Sequence, residues 1–298
     1  MVFTSWMGYP TFVTAPTPPE NSNLLHPWTD NNKMLLGMVH LGPLPGSPGT
    51  ITSTACDVVE NVTENALCDA RTLLENGMDG LILENFGDTP FYPDRVPPIT
   101  IAAITTVAHH VRELATRVAP GAFLGVNVLR NDAGAALAIA AACGFHGIRV
   151  NVHTGVMAAD QGILEGRAHD TLRERARLRA PVAILADVLV KHAEPLGEAA
   201  PDIGPLAREA VERGGADGII VSGRATGSPT DTARLESVRA ALPNTPIFIG
   251  SGASVAIIAA QLQHADGAIV GTALKKNGDV HAPVDPVRVR AIVEAVKS

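Results

Sequence analysis

Apolar and polar positions alternate along this chain in blocks rather than residue by residue. A short, nearly continuous apolar run ends in glycine or polar residues, an alanine-rich stretch with helical spacing follows, and the unit then recurs in kind though not in sequence. Eight runs read as strands: MLLGMVHL (34–41), DGLILENF (79–86), FLGVNVL (123–129), GIRVNVH (147–153), VAILADVLV (182–190), DGIIVSG (217–223), PIFIGSG (246–252) and DGAIVGTAL (266–274). Helices are predicted near 54–76, 99–118, 132–143, 163–178, 202–213, 231–242, 254–264 and 286–297. Several carry capping residues, at Asp132, at Thr230 or Asp231, at Ser254, and at Asp285 ahead of Pro286.

Continuous apolar strands separated by helices predict a parallel sheet covered on both faces. Eight such units predict one closed α/β barrel, a (β/α)8 or TIM barrel, over residues 33–298. An open, doubly wound sheet would call for a glycine-rich loop opening the first helix. The first strand instead runs into HLGPLPGSPG, whose prolines make a stiff, extended loop.

Residues 1–32 lack periodicity. APTPPENSN, with Trp6, Tyr9 and Trp28 around it, predicts an irregular N-terminal arm, or one whose aromatic residues pack on the barrel or on a partner subunit. Connections 41–53, 86–98 and 154–162 are long and follow strands, which places them on the face where barrels build their sites.

Composition narrows the function classes. Of the 298 residues 46% are hydrophobic and 18% charged, enough for one large core. Acids outnumber lysines and arginines 30 to 23, for a net charge of −7, which argues against broad binding to nucleic acid or anionic membrane. Cys56, Cys68 and Cys143 are scattered without CxxC spacing, as expected of reduced thiols. No apolar run is long enough to span a bilayer and no secretory signal is evident, so a cytoplasmic location is expected.

Polar groups inside apolar parallel strands cost free energy unless paired, so their recurrence at strand ends points to a shared cavity. The first strand ends in His40; the second carries Glu84 and Asn85, the third Asn127, and the fourth Arg149, Asn151 and His153. The fifth holds Asp187 ahead of Lys191 and His192, and the sixth ends in Ser222 and Gly223. Glycine-rich ends follow: Gly250, Ser251 and Gly252 on the seventh strand, Gly271 and Thr272 on the eighth. Glycine lets backbone N–H groups approach an anion closely, and barrels frequently seat a phosphate in these two loops.

The stretches GMVHLGPLPGSP, DGLILENFGDTPF, ADVLVKHAEPL, ADGIIVSGRATG, PIFIGSG and ADGAIVGTALKKNG resemble the BtpA/SgcQ family, named after a photosystem I biogenesis factor and a sugar-metabolism protein. The resemblance spans Gly37 to Gly278 and leaves out the arm. It implies a barrel related to the ribulose-phosphate-binding group and fixes no reaction. LILENFGDTPFYPDRVPPIT also looks like the second-strand region of the tryptophan synthase α subunit, where a strand-end Glu and a loop Asp perform acid–base catalysis. That resemblance implies the same roles for Glu84 and Asp88, although the surrounding loop departs from the pattern.

Three functions are open to these residues. The first is lyase, isomerase or aldolase chemistry on a phosphorylated sugar or nucleotide-like molecule, with Glu84 transferring a proton and Asp187, Lys191 and His192 assisting. Glu84 has apolar neighbours in Leu81, Ile82, Leu83 and Phe86, so burial should raise its pKa, while a cation from Arg149 or Lys191 would lower it. The second is a nucleoside phosphorylase or other glycosyl-transferring enzyme, using phosphate as co-substrate. The third is a non-enzymatic assembly factor. No cofactor is expected; a divalent metal on His40, Glu84 or Asp187 is conceivable without dense ligand spacing to support it. A homo-oligomer, most simply a C2 dimer, is expected.

Overall fold

Each of the eight apolar runs contributes one strand to a closed parallel barrel. The computed structural model describes residues 24–29, 33–50, 52–197, 201–223 and 231–297. The barrel strands are β1 (Met34–His40), β2 (Gly80–Glu84), β3 (Phe123–Asn127), β4 (Gly147–Val150), β7 (Ala183–Val188), β9 (Gly218–Val221), β10 (Ile247–Ile249) and β11 (Gly267–Val270), with β11 closing on β1. Around them pack α2 (Ala55–Glu75), α3 (Pro98–Val118), α4 (Ala133–Cys143), α5 (Ala168–Leu178), α6 (Ile203–Glu212), α7 (Thr232–Ala241) and α9 (Pro286–Lys297).

The helix starts follow local chemistry. Asp132 accepts from the Ala135 amide, Asp231 from that of Ala233, and Asp285 from that of Val287, each satisfying a donor that the helix leaves open. Thr230 lies outside the described residues. The stretch 254–264 differs from expectation. Helix α8 is a single turn (Ile258–Gln261), and Ser254 offers its backbone carbonyl, not its side chain, to the amides of Ile257 and Ile258. The residues before it, 252–254, are drawn into a cavity wall instead.

The connection at 154–162 also differs. Strands β5 (Val156–Ala159) and β6 (Gly162–Glu165) form a hairpin that β8 (Ala193–Pro195) joins in a small antiparallel sheet, so α5 begins at Ala168 and not near 163. Met157 and Leu164 are its buried positions and pack with Val152 and Val190. Gly162, with φ of 105°, makes the turn that a side-chain-bearing residue would resist.

Bulk inside the barrel comes from Leu36, Met38, Ile82, Phe123, Leu185, Ile220, Phe248 and Ile269. Phe123 takes the space Gly147 leaves: a Cβ at Gly147 would stand 2.6 Å from the Phe123 ring. Leu25, fully buried, belongs to the same cluster. Trp28 in α1 (His26–Thr29) donates to the Gly121 carbonyl at 3.0 Å and meets Phe123 edge-on. Residues 24–29, the described part of the N-terminal arm, therefore plug the N-terminal end of the barrel with Trp28 packed on it. Trp6 and Tyr9 lie outside the described residues. Among the described residues, no helix is long and apolar enough to cross a membrane.

Candidate active site

Every second residue of a barrel strand faces the interior. Met34, Leu36 and Met38 are interior residues of β1, so the next interior position is His40. The same count leads from Ile82 to Glu84, from Phe123 to Asn127, from Leu185 to Asp187 and from Ile220 to Ser222. It leads likewise from Phe248 to Gly250 and from Ile269 to Gly271. Arg149 joins this layer as the register partner of Asn127, and His40, Glu84 and Asn127 are partners in turn. A hydrophobic interior thus ends in one polar layer at the C-terminal rim.

Within that layer the side chains sort into two groups. Asp187 accepts from Arg149 Nε at 2.8 Å, Arg149 Nη2 at 3.0 Å, Asn151 Nδ2 at 3.0 Å and Ser222 Oγ at 3.2 Å. Glu84 accepts from Asn127 Nδ2 at 2.8 Å, and His40 Nε2 lies 3.7 Å from its other oxygen, too far for a direct hydrogen bond. The His40 ring stacks on Phe86 with centroids 4.6 Å apart, and its Nδ1 is buried without a hydrogen-bond partner.

A cavity of about 290 Å³ opens above the layer. His40, Glu84, Arg149 and Lys191 line it together with Gly250, Ser251, Gly252, Gly271 and Thr272, and Gly271 lies beside the His40 ring. The glycine loops of β10 and β11 therefore share one space with the strand-end carboxylate. Gly252 has φ of 75°, in the left-handed region.

Other residues singled out in the sequence stand elsewhere. Asp187, Asn127 and Ser222 sit behind Arg149 and Glu84 as hydrogen-bond supports, and Asn151 lines a second cavity with Met157 and Leu206. Asn85 and Asp88 staple loops: Asp88 accepts from the Leu44 amide and from Asn85, and Asn85 bridges to Leu129. His153 bonds the Gly214 carbonyl, the Gly223 amide donates to Ser251 Oγ, and His192 is exposed. His40, Glu84 and Asp187 do not present a shared metal site, because both Asp187 oxygens are taken by donors, and no metal-binding cluster occurs among the described residues.

Sequence reasoning missed two features. Buried Arg130 donates Nη2 to the Lys191 carbonyl at 2.8 Å. Lys275, almost fully buried, pairs with Asp69 of α2 at 2.6 Å, and Asp69 also accepts from the Val284 amide, which pins the segment after β11. The 206 positions between Asp69 and Lys275 leave no local signal.

Electrostatics follow from burial and these neighbours. Burial, helped by Lys275 and Lys191, drops the His40 pKa to about 4 against the pull of Glu84, so the imidazole is neutral at pH 7. Burial pushes Glu84 up, but His40, Arg149, Lys191 and the Asn127 hydrogen bond hold it below the usual range. With His40 neutral at pH 7, Arg149 is the standing cation beside Glu84, and Glu84 is a carboxylate. Burial first, then Arg149 and Arg130, lowers Lys191 against the pull of Glu84 and Asp187. Burial likewise raises Asp88.

The chain is similar to known proteins in sequence and in fold. The model of the BtpA family matches residues 31–298. The chain is 48% identical to the photosystem I biogenesis protein BtpA of Synechocystis, over 88% of this chain and 87% of that protein. It is 43% identical to a protein of Thermococcus kodakarensis, over 89% and 95% of the two chains. In fold it is similar to N-(5'-phosphoribosyl)anthranilate isomerase of Pyrococcus furiosus, with a TM-score of 0.53 at 12% identity over 89% of this chain and 98% of that one. It is also similar to an archaeal fructose 1,6-bisphosphate aldolase, with a TM-score of 0.51 at 14% identity over 92% and 97%.

Proposed function

The chain belongs to the BtpA family, and on that premise we propose that it is an enzyme performing acid–base isomerase, lyase or aldolase chemistry on a phosphorylated small molecule. One observation carries the reading: the Glu84 carboxylate and the glycine loops after β10 and β11 line the same cavity. The loops offer backbone N–H groups to a phosphate, which fixes the distance from the anion to the reacting carbon. A volume of about 290 Å³ suits a small sugar phosphate.

In this reading Glu84 takes a proton from carbon beside a carbonyl. Arg149, held by Asp187, polarises the carbonyl oxygen, and neutral His40 relays protons next to Glu84. The isomerase and the aldolase similar in fold act, by their names, on phosphorylated sugars, which accords with the reading. A cytoplasmic setting and a C2 homodimer belong to the same proposal; a monomeric mass in light scattering would remove the dimer.

Thermal denaturation against sugar phosphates, nucleosides and inorganic phosphate tests it, because a ligand that binds only the native state raises its stability. Sugar phosphates are expected to raise Tm. A shift with nucleoside and inorganic phosphate together, and none with sugar phosphates, would favour glycosyl transfer instead. No shift with any of them would leave the assembly-factor reading.

A further inference from the structure

We propose that Lys191 is a nucleophilic amine that condenses with a carbonyl group of the substrate, which makes the substrate a phosphorylated aldehyde or ketone held as an imine. This rests on the reading that the cavity takes a phosphorylated small molecule.

The chain has five lysines, and their placement separates Lys191 from the rest. Lys33 bonds the Ala265 carbonyl, Lys275 is buried on Asp69, and Lys297 is tied to Asp79 and Gly77. Lys276 is exposed and lines neither cavity described above. Lys191 alone among them lines the cavity of Glu84 and His40, and among the described residues no hydrogen bond or ion pair holds its amine. Its backbone, in contrast, is fixed. Arg130 donates to its carbonyl, and Leu189 and His192 flank it in left-handed conformations with φ of 52° and 59°. Val190 is buried against the hairpin of β5 and β6 while Lys191 takes the cavity side. A residue whose main chain is fixed and whose amine is left untied is suited to react.

Charge favours the neutral amine. The carboxylates of Glu84 and Asp187 face three cations, Arg149, Arg130 and Lys191, and Arg149 already holds Asp187 in a bidentate pair. Burial and the two guanidiniums lower the Lys191 pKa, and an unprotonated amine is the nucleophile.

The step balances without a redox partner. The Lys191 nitrogen attacks the carbonyl carbon, and the carbonyl π pair moves to oxygen, which takes a proton from solvent. The nitrogen loses a proton to Glu84. That proton then goes to the carbinolamine hydroxyl, which leaves as water while the nitrogen lone pair forms the C=N bond. Amine, carbonyl and one proton from solvent become a protonated imine and water. Protonated, the imine draws electrons from the adjacent carbon, so Glu84 can remove a proton there or the next C–C bond can break.

The test uses the full chain with dihydroxyacetone phosphate, glyceraldehyde 3-phosphate and ribose 5-phosphate, each reduced with borohydride and read by intact mass and peptide mapping. The expected result is one adduct, on the peptide bearing Lys191, from a sugar phosphate that also raises Tm. Lys191→Arg should lose the adduct while its own Tm stays near that of the wild type. A sugar phosphate that raises Tm yet leaves no adduct overturns the imine and spares the binding reading. An adduct that survives Lys191→Arg, on Lys276 or another lysine, also overturns it. If no sugar phosphate raises Tm, the binding reading fails and the imine with it.

Discussion

Arg149 grips Asp187 through two parallel hydrogen bonds, Nε to Oδ2 at 2.8 Å and Nη2 to Oδ1 at 3.0 Å, and neither side chain is more than 4% exposed. Asn151 and Ser222 take the remaining acceptor sites of Asp187, so its oxygens are fully engaged inside the protein. In the proposed reaction Asp187 therefore positions the guanidinium that lines the cavity, and the acid–base role is given to Glu84. Removing one partner of a buried pair leaves the other charge uncompensated, whereas replacing both by apolar groups costs less. Asp187→Leu should lose about 3–5 kcal/mol of stability in urea denaturation. The double variant Arg149→Met, Asp187→Leu should recover part of that loss.

Glu84→Gln should preserve the fold, because a glutamine oxygen can still accept from Asn127. Turnover on whichever sugar phosphate binds should fall roughly 10²–10⁴-fold with little change in the ligand-induced Tm shift. Near-normal turnover would remove Glu84 from proton transfer.

Stability should decline as pH falls through the range set by His40. Its folded pKa of about 4 lies below the ordinary value of 6.5, so in between the unfolded chain binds the proton and the folded chain does not. Stability is thus full above pH 6.5 and is lost progressively toward pH 4, by about 3 kcal/mol at most from this group. His146 and His153, lowered chiefly by burial, act in the same direction. Denaturation midpoints from pH 7 to 4 should show a shallower decline in His40→Asn than in the wild type.

Gly252→Val should abolish the Tm shift given by sugar phosphates while leaving a folded barrel. The φ of 75° resists a β-branched residue, at about 1–3 kcal/mol, and the position lines the cavity. Circular dichroism reports the fold separately, and an unchanged shift would take the loop after β10 out of anion binding.

Much of this was written locally. Runs such as FLGVNVL and DGIIVSG are too apolar to leave either face in water, so eight of them interleaved with helices determined the barrel, and period two along each strand determined which residues crown it. His40, Glu84, Arg149, Gly250 and Gly271 were legible for that reason. Elements with weaker periodicity were not: the hairpin at 156–165 needed Val152 and Val190 to bury Met157 and Leu164, and the single turn of α8 answers to the cavity wall.

What each crowning residue does was decided only by the tertiary structure, because charge and hydrogen bonding act through space. Asp187 and Glu84 are both strand-end carboxylates in apolar surroundings, and the sequence alone determined no more than that. The Arg149 guanidinium reaches Asp187 and leaves Glu84 with Asn127, which ties one carboxylate into a bidentate pair and leaves the other on the cavity wall. Burial among Lys275, Lys191 and Glu84 likewise decided that His40 is neutral, through contacts spanning up to 235 positions that no local pattern encodes.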